Sequence, residues 1–439
     1  MTDNASMVSA EDEVVGLCRD LLRIDTTNTG EPETTVGERE AAEYVAGKLA
    51  EVGVQPTVLE SEPGRTSVVA RIPGADPGRP ALLIHGHLDV VPADATEWSV
   101  PPFAGQEQDG YLWGRGAIDM KDMDAMMLAL ARQWLRRGVR PPRDVVLAFV
   151  ADEEAGGTKG ARWLVDNHAG LFEGCTEAVG EVGGYSVTLR EDLRLYLIQT
   201  AEKGLAWMRL RSRGQPGHGS MVHPDNAVTA LAEAVARLGR HRFPRVLTDT
   251  LRSFVAGLAE ATGTDLDPDD PAVLDGLAAM SKMIAATLSN TASPTMFTAG
   301  YKANVIPGSA EAVVDGRFLP GQEEEFTKQV DELLGPDVER EWVVHDQAVE
   351  TGFDGALVEA MVAALRAEDP LAHPVPYLMS GGTDAKSFAR LGMRCFGFSP
   401  LLLPPDLDFA ALFHGIDERV PVDALRFGVR VLDRLVMGS

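Results

Sequence analysis

His87 and Asp89 stand two residues apart where an apolar run, residues 81–84, gives way to polar groups. Alternate residues of a strand point the same way, so the carboxylate can lie beside the imidazole and polarise it, a common support around metal sites. An H-x-D pair alone reads more readily as a histidine in a tight turn. Asp119 follows in the Gly-rich segment Gly114-Arg115-Gly116-Ala117-Ile118-Asp119-Met120-Lys121-Asp122, where Asp119 or Asp122 acting as a helix N-cap is the plain alternative. The run 145–150 leads into Asp152-Glu153-Glu154, three consecutive carboxylates that repel one another unless cations neutralise them or a loop solvates them. Glu181 precedes Gly183-Gly184, and His414 precedes a turn and the last helical pattern. These groups fall at strand ends or turns, where open α/β sheets form their sites. Histidine and carboxylate without cysteine suit catalytic zinc, which needs open positions for water or substrate.

The elements that must position these groups are legible from periodicity. Ser9-Ala10-Glu11-Asp12 reads as a capping box opening a helix, with Val14, Leu17, Cys18, Leu21 and Leu22 at helical spacing. A second helix is expected over residues 37–52, stopped by Gly53. Strands follow at 67–72 and 81–84, then an amphipathic helix at 122–137 with Met123, Met126, Met127, Leu130 and Trp134 on one face and Gly138 at its end. The methionines there read as core. Residues 145–150 are almost continuously apolar, as in a strand covered on both faces. Strands alternating with helices indicate an α/β sheet with helices on both sides. The pattern changes near residue 198: a half-exposed strand at 205–211, a helix from about 226, and a helical passage to about 289 broken by the acidic stretch 265–270. A strand at 310–318 and a helix at 323–334 complete what reads as a smaller inserted α+β domain. From about 353 the first style returns, with helices at 356–366 and 422–436. The expected division is 1–198, 199–348 and 349–439, the outer two forming one catalytic domain.

Composition narrows the function. A chain of 439 residues, 45% hydrophobic, can bury two or three cores. A net charge of −26 repels nucleic acid and anionic membranes, so neither is an expected partner. No apolar stretch approaches the ~18 residues needed to span a bilayer. The polar, acidic start from Met1 through Glu13 lacks the pattern of a secretory signal. Cys18, Cys175 and Cys395 are odd in number and far apart, which speaks against a disulfide framework or a thiolate zinc site and for a reducing cytoplasm.

Gly86-His87-Leu88-Asp89-Val90-Val91-Pro92, the segment 114–121, Asp152-Glu153-Glu154, Glu181 and His414-Gly415 together resemble the two-zinc metallopeptidases that include aminoacylase, carboxypeptidase G, acetylornithine deacetylase and succinyl-diaminopimelate desuccinylase. The order and approximate spacing hold over nearly the whole chain. The resemblance implies a mixed α/β catalytic sheet interrupted by a lid and dimerisation domain. It also implies two divalent ions, zinc first and cobalt or manganese as alternatives. Asp119 would bridge them, His87 and Glu181 completing one site, Glu154 and His414 the other. Asp89 would support His87, and Glu153 would be the general base that takes a proton from the attacking water.

The same resemblance turns attention to Gly214-Gln215-Pro216-Gly217-His218-Gly219-Ser220, whose histidine would otherwise read as a surface residue. It implies that His218 stabilises the oxyanion, within its own subunit or across a homodimer. Asn304 and Arg317 resemble substrate contacts of the lid, although Arg317 can equally pair with Asp315. Gly382 and Thr383 lie in a Gly-rich turn before a helix, a setting suited to a substrate carboxylate. His168 reads as a helix-end residue; His85, His223, His241, His345 and His373 read as loop or surface residues. The expected activity is hydrolysis of the amide bond in N-acyl amino acids or short peptides with a free carboxylate. Altered chemistry on ureido, ester or lactam bonds, or a non-catalytic metal-binding role, are the alternatives.

Overall fold

The computed structural model describes residues 8–280 and 282–439. Residues 1–7 of the polar amino-terminal stretch, and residue 281 within the expected helical passage, lie outside the described residues. The chain divides into two compact units, one built from residues up to 200, 353–376 and 383–439, the other from 201–352 and 377–382.

The first unit is organised around a mixed sheet. Its strands run in the order Thr57–Glu62, Arg65–Ile72, Val145–Val150, Ala81–His87, Cys175–Gly180, Arg394–Gly397 and Leu193–Glu202. Ala81–His87 is parallel to both neighbours, and Arg394–Gly397 is parallel to Cys175–Gly180. The first three strands of the order pair antiparallel. Ala81–His87 and Val145–Val150 are buried at every position because both faces are covered. On one face Leu83, Val146, Ala148 and Val150 pack with Ala161, Leu164, Phe172 and Phe388. On the other, Gly86 lies so close to the helix Lys121–Arg137 that a Cβ there would fall 2.5 Å from Asp124 Oδ1.

The capping box is present: Asp12 N donates to Ser9 Oγ at 3.2 Å, and Ser9 N donates to Asp12 Oδ2 at 2.9 Å, opening the helix Ala10–Leu22. Gly138, at φ 63°, ends Lys121–Arg137. That helix is not amphipathic as expected. It is buried from Lys121 through Trp134, Asp122 and Asp124 included, because it lies between the sheet and the helices Ala10–Leu22, Arg39–Ala50 and Val422–Gly438. Its N-cap is Met120 with no side-chain cap, so neither Asp119 nor Asp122 serves as one.

The second unit has a four-stranded antiparallel sheet in the order Thr291–Ala299, Ser309–Phe318, Gly204–Arg213, Val338–Asp346. Helices Ala227–Arg240 and Glu323–Leu334 bury one face around Met208, Leu210, Leu231, Val314 and Phe326. Asn226 caps the first of these by accepting from Val228 N and Thr229 N. The helical passage appears as Asp249–Thr262, Pro271–Met280 and Lys282–Thr287, interrupted at the acidic stretch. Among the described residues, no helix is long and apolar enough to cross a membrane.

Candidate active site

In the first unit the carboxyl ends of the parallel strands carry the chemistry. His87 is the last residue of Ala81–His87, and Glu181 directly follows Cys175–Gly180. Asp119 ends the Gly-rich turn before the helix Lys121–Arg137. Glu153 and Glu154 begin a single 3₁₀ turn after Val145–Val150. His414 occupies a left-handed backbone position, φ 57°.

These side chains converge. His87 Nε2 lies 3.0 Å from Asp119 Oδ1 and 3.4 Å from Glu181 Oε2. His414 Nε2 lies 3.3 Å from Asp119 Oδ2 and 3.1 Å from Glu154 Oε2. Each oxygen of Asp119 thus faces a different histidine. Two groupings have donor atoms mutually within 4.8 Å: His87 with Asp119 and Glu154, and His87 with Glu153 and Glu181.

Burial dominates the electrostatics. It pushes Glu153 well above the carboxylate range, helped by the charge of Glu181, and takes Glu154 and Glu181 up to about 7. Asp119 goes the other way: burial opposes ionisation, but hydrogen bonds with His414 and His87 hold it below the usual value. Hydrogen bonds to Asp119 and Glu154 raise His414 to about 10. Burial disfavours the charged form of His87, yet the charge of Glu181 and the bond to Asp119 raise it. So much carboxylate in so little solvent favours a cation, and the buried Glu154 Oε1 has no hydrogen-bond partner. Imidazole and carboxylate donors without thiolate fit a divalent metal with open positions.

Asp152 adopts φ 72°, and Glu153 and Glu154 enter a tight turn. Two local expectations need correction. Asp89 meets His87 through its main chain, its carbonyl oxygen lying 2.9 Å from Nδ1 while its carboxylate stands 3.6 Å away. The strand stops at His87, so the two-residue alternation no longer governs Asp89. Its carboxylate instead accepts Glu153 N and Glu154 N at 3.1 Å each, and Asn28 Nδ2 at 2.8 Å. His85 is also not a surface residue. It is buried in the strand with its ring 4.8 Å from that of Phe388, and burial pushes it down to about 3, so it is neutral.

His218, Asn304, Arg317 and Gly382 belong to the second unit, Thr383 to the first. The short strand Gly217–His218 pairs with Val305–Ile306, and Gly219 N donates to the Asn304 carbonyl at 3.0 Å, so His218 and Asn304 share one exposed corner. Arg317 is paired with Asp315, Nε to Oδ1 at 2.7 Å and Nη2 to Oδ2 at 3.2 Å, and lies 5.7 Å from the Trp207 ring centre. The helix after Thr383 is only Ala385–Ala389. The buried Asp384 stands at its start.

Sequence reasoning missed the supporting groups. Glu418 Oε2 accepts Arg115 Nη1 at 2.7 Å and Gly116 N at 3.1 Å, and Oε1 accepts Ile118 N at 2.8 Å, holding the turn that presents Asp119. Arg65 and Asn28 likewise support the Glu153–Glu154 turn. A charged residue in the sequence carries no mark of a partner 303 positions away.

The profile of Peptidase family M20/M25/M40 matches residues 83–438. The N-fatty-acyl-amino acid synthase/hydrolase PM20D1 of Xenopus tropicalis is 28% identical over 97% of this chain and 86% of its own length. Aminoacylase-1 of Sus scrofa is 27% identical over 96% of this chain and 94% of its own. Among solved structures, the M20 family metallo-carboxypeptidase Sso-CP2 from Sulfolobus solfataricus superposes with a TM-score of 0.74 at 19% identity, covering 97% of this chain and 99% of that one. Human carnosine dipeptidase 1 gives 0.68 at 17%, covering 98% and 96%. With the site's donors at the ends of a sheet of this topology and the profile spanning most of its length, the chain belongs to peptidase family M20/M25/M40.

Proposed function

We propose that this chain is a metal-dependent amidohydrolase acting on N-acyl amino acids, with short peptides bearing a free carboxylate as the neighbouring substrate class. The observation that carries the reading is the pair of histidines on opposite oxygens of Asp119, with Glu153, Glu154 and Glu181 packed around them. Two divalent ions per chain, zinc before cobalt or manganese, are the proposed cofactors. Asp119 would serve both, with His87 and Glu181 on one and Glu154 and His414 on the other. When bound, the metals supply Lewis acidity toward the scissile carbonyl and lower the pKa of water.

Glu153 takes a proton as water adds its oxygen to the acyl carbon, and returns it to the amine nitrogen as the C–N bond breaks. The products are a carboxylic acid and a free amino acid. Asp89 holds the Glu153–Glu154 turn through its two backbone N–H groups. His218 is proposed to stabilise the oxyanion, in its own subunit or across a homodimer formed through the inserted domain, residues 199–348. Asn304, Gly382 and Thr383 are the proposed substrate contacts. Arg317 joins them only by exchanging Asp315 for the substrate carboxylate. Three free, buried cysteines fit a cytoplasmic setting. The acyl-amino-acid class comes first because PM20D1 and aminoacylase-1 both match nearly the whole chain.

The test is amino-acid release from a panel of N-acyl amino acids and dipeptides, with and without a chelator. Release abolished by the chelator and restored by zinc supports the reading. Two bound metals with no release from either class overturns it in favour of ureido, ester or lactam chemistry.

A further inference from the structure

The turn that carries Glu153 and Glu154 begins with Asp152 in the left-handed region, a backbone state that a residue other than glycine holds only when its surroundings impose it. The imposing contacts are buried and specific. Asp152 Oδ1 accepts Arg65 Nη2 at 2.6 Å and Asn28 Nδ2 at 3.4 Å. Asp152 Oδ2 accepts Lys159 N at 2.8 Å and Thr158 Oγ1 at 3.3 Å. Asn28 Nδ2 also donates to Asp89 Oδ2 at 2.8 Å, and Asp89 receives the N–H groups of Glu153 and Glu154. Arg65 Nη2 further lies 3.0 Å from Glu38 Oε1, at the start of the helix Arg39–Ala50. Arg65, Glu38, Asp152 and Asp89 are all buried.

We infer that Arg65 is a positioning residue for the Glu153–Glu154 turn, its guanidinium holding Asp152, to which Asn28 also donates, so that base and ligand carboxylates face the site. The inference rests on the proposed hydrolase reading only for what Glu153 and Glu154 do. Charge is half of the argument. Without the guanidinium, the carboxylates of Glu38, Asp152 and Asp89 face one another with little solvent, and the turn that joins them relaxes to separate them. Geometry is the other half, since a misplacement of about 1 Å in a catalytic group costs about a hundredfold in rate. A cleft of about 390 Å³ is lined by Asn28, Glu62, Arg65, Asp152, Ala155 and Lys159, so the Arg65 side chain borders open space. Arg65 Nε has no hydrogen-bond partner.

The experiment compares Arg65→Met and Arg65→Lys with the wild type in the zinc-loaded enzyme. It reads kcat, KM, zinc affinity by chelator competition, and recovery by guanidinium at low concentration. Arg65→Met is expected to lower kcat about a hundredfold with KM within about threefold, and to weaken zinc about tenfold because Glu154 shares the turn. Arg65→Lys and added guanidinium should each recover part of kcat, which a merely structural defect would not allow. The same loss at reduced size is expected for Asn28→Ala, which decides the matter if Arg65→Met does not fold. Glu62→Ala, on the rim of the cleft, should leave all four readouts unchanged. Wild-type kcat and zinc affinity in Arg65→Met, or a loss that neither lysine nor guanidinium relieves, overturns the inference. If the wild type cleaves no amide, the hydrolase reading fails separately, and the zinc affinities still decide the role of Arg65.

Discussion

Glu153 and Glu154 are adjacent in sequence, yet their surroundings separate their roles. Glu154 lies 3.1 Å from His414 Nε2, whereas Glu153 groups with His87 and Glu181. If Glu153 is the base, Glu153→Ala keeps the wild-type metal content and lowers kcat by about a hundredfold or more, measured by elemental analysis beside steady-state rates. Full turnover in that variant would reassign the base. A second residue-scale test concerns Asp369, which accepts Arg194 Nε and Nη2 at 2.6 Å each, Tyr196 Oη at 2.9 Å and Leu371 N at 3.0 Å. Burial alone would raise its pKa, but these donors lower it below the ordinary 3.8. A depressed folded-state pKa contributes stability that is present above the unfolded value and lost as pH falls through the folded one. Asp369→Asn should therefore cost about 2 kcal/mol near neutral pH. In urea melts that difference should close as pH falls below 3.8. A pH-independent difference would mean that the carboxylate charge contributes nothing.

At the scale of elements, the site depends on strands ending where they do and on turns held from outside. Ala81–His87 packs so closely against Cys175–Gly180 that a Cβ on Gly180 would fall 2.2 Å from Cε1 of the His85 ring. The ring cannot retreat, because Phe388 lies behind it. Gly180→Ala should destabilise the fold by about 1–3 kcal/mol through overpacking, read as a lower urea midpoint at unchanged slope. It should also disturb the neighbouring Glu181. A neutral substitution would show that the strand spacing has slack. Glu418 acts similarly on the turn before Lys121–Arg137, satisfying Gly116 N and Ile118 N with one carboxylate and binding Arg115 with the same group.

For the molecule as a whole, a net charge of −26 and a buried cluster of carboxylates both oppose compactness. A divalent cation at the His87–Asp119 cluster relieves the second directly, and any ligand that binds only the folded state adds stability. Removing metal with a chelator should lower the melting temperature by about 5 °C or more, and equimolar zinc should restore it. No shift on chelation would mean that the cluster is satisfied by protons alone. The division into two compact units also bears on unfolding, since melts followed by separate probes need not coincide.

Local physics made much of this protein readable from sequence. The capping box at Ser9, the stop at Gly138, the two-sided burial of Val145–Val150 and the interruption at the acidic stretch all follow from neighbours a few residues apart. The placement of His87, Asp119 and Glu181 at strand ends and turns follows for the same reason. Tertiary structure decided which of these groups meet: His87 with Asp119 and Glu181, His414 with Asp119 and Glu154. It also decided that Asp89 holds a turn, that His85 is core, that Arg317 is occupied by Asp315, and that Arg65 and Glu418 support the site. Periodicity reports which face of an element is apolar, but a buried ion pair leaves no period. Its partners are matched only when the sheet and helices bring distant segments within about 3 Å of each other.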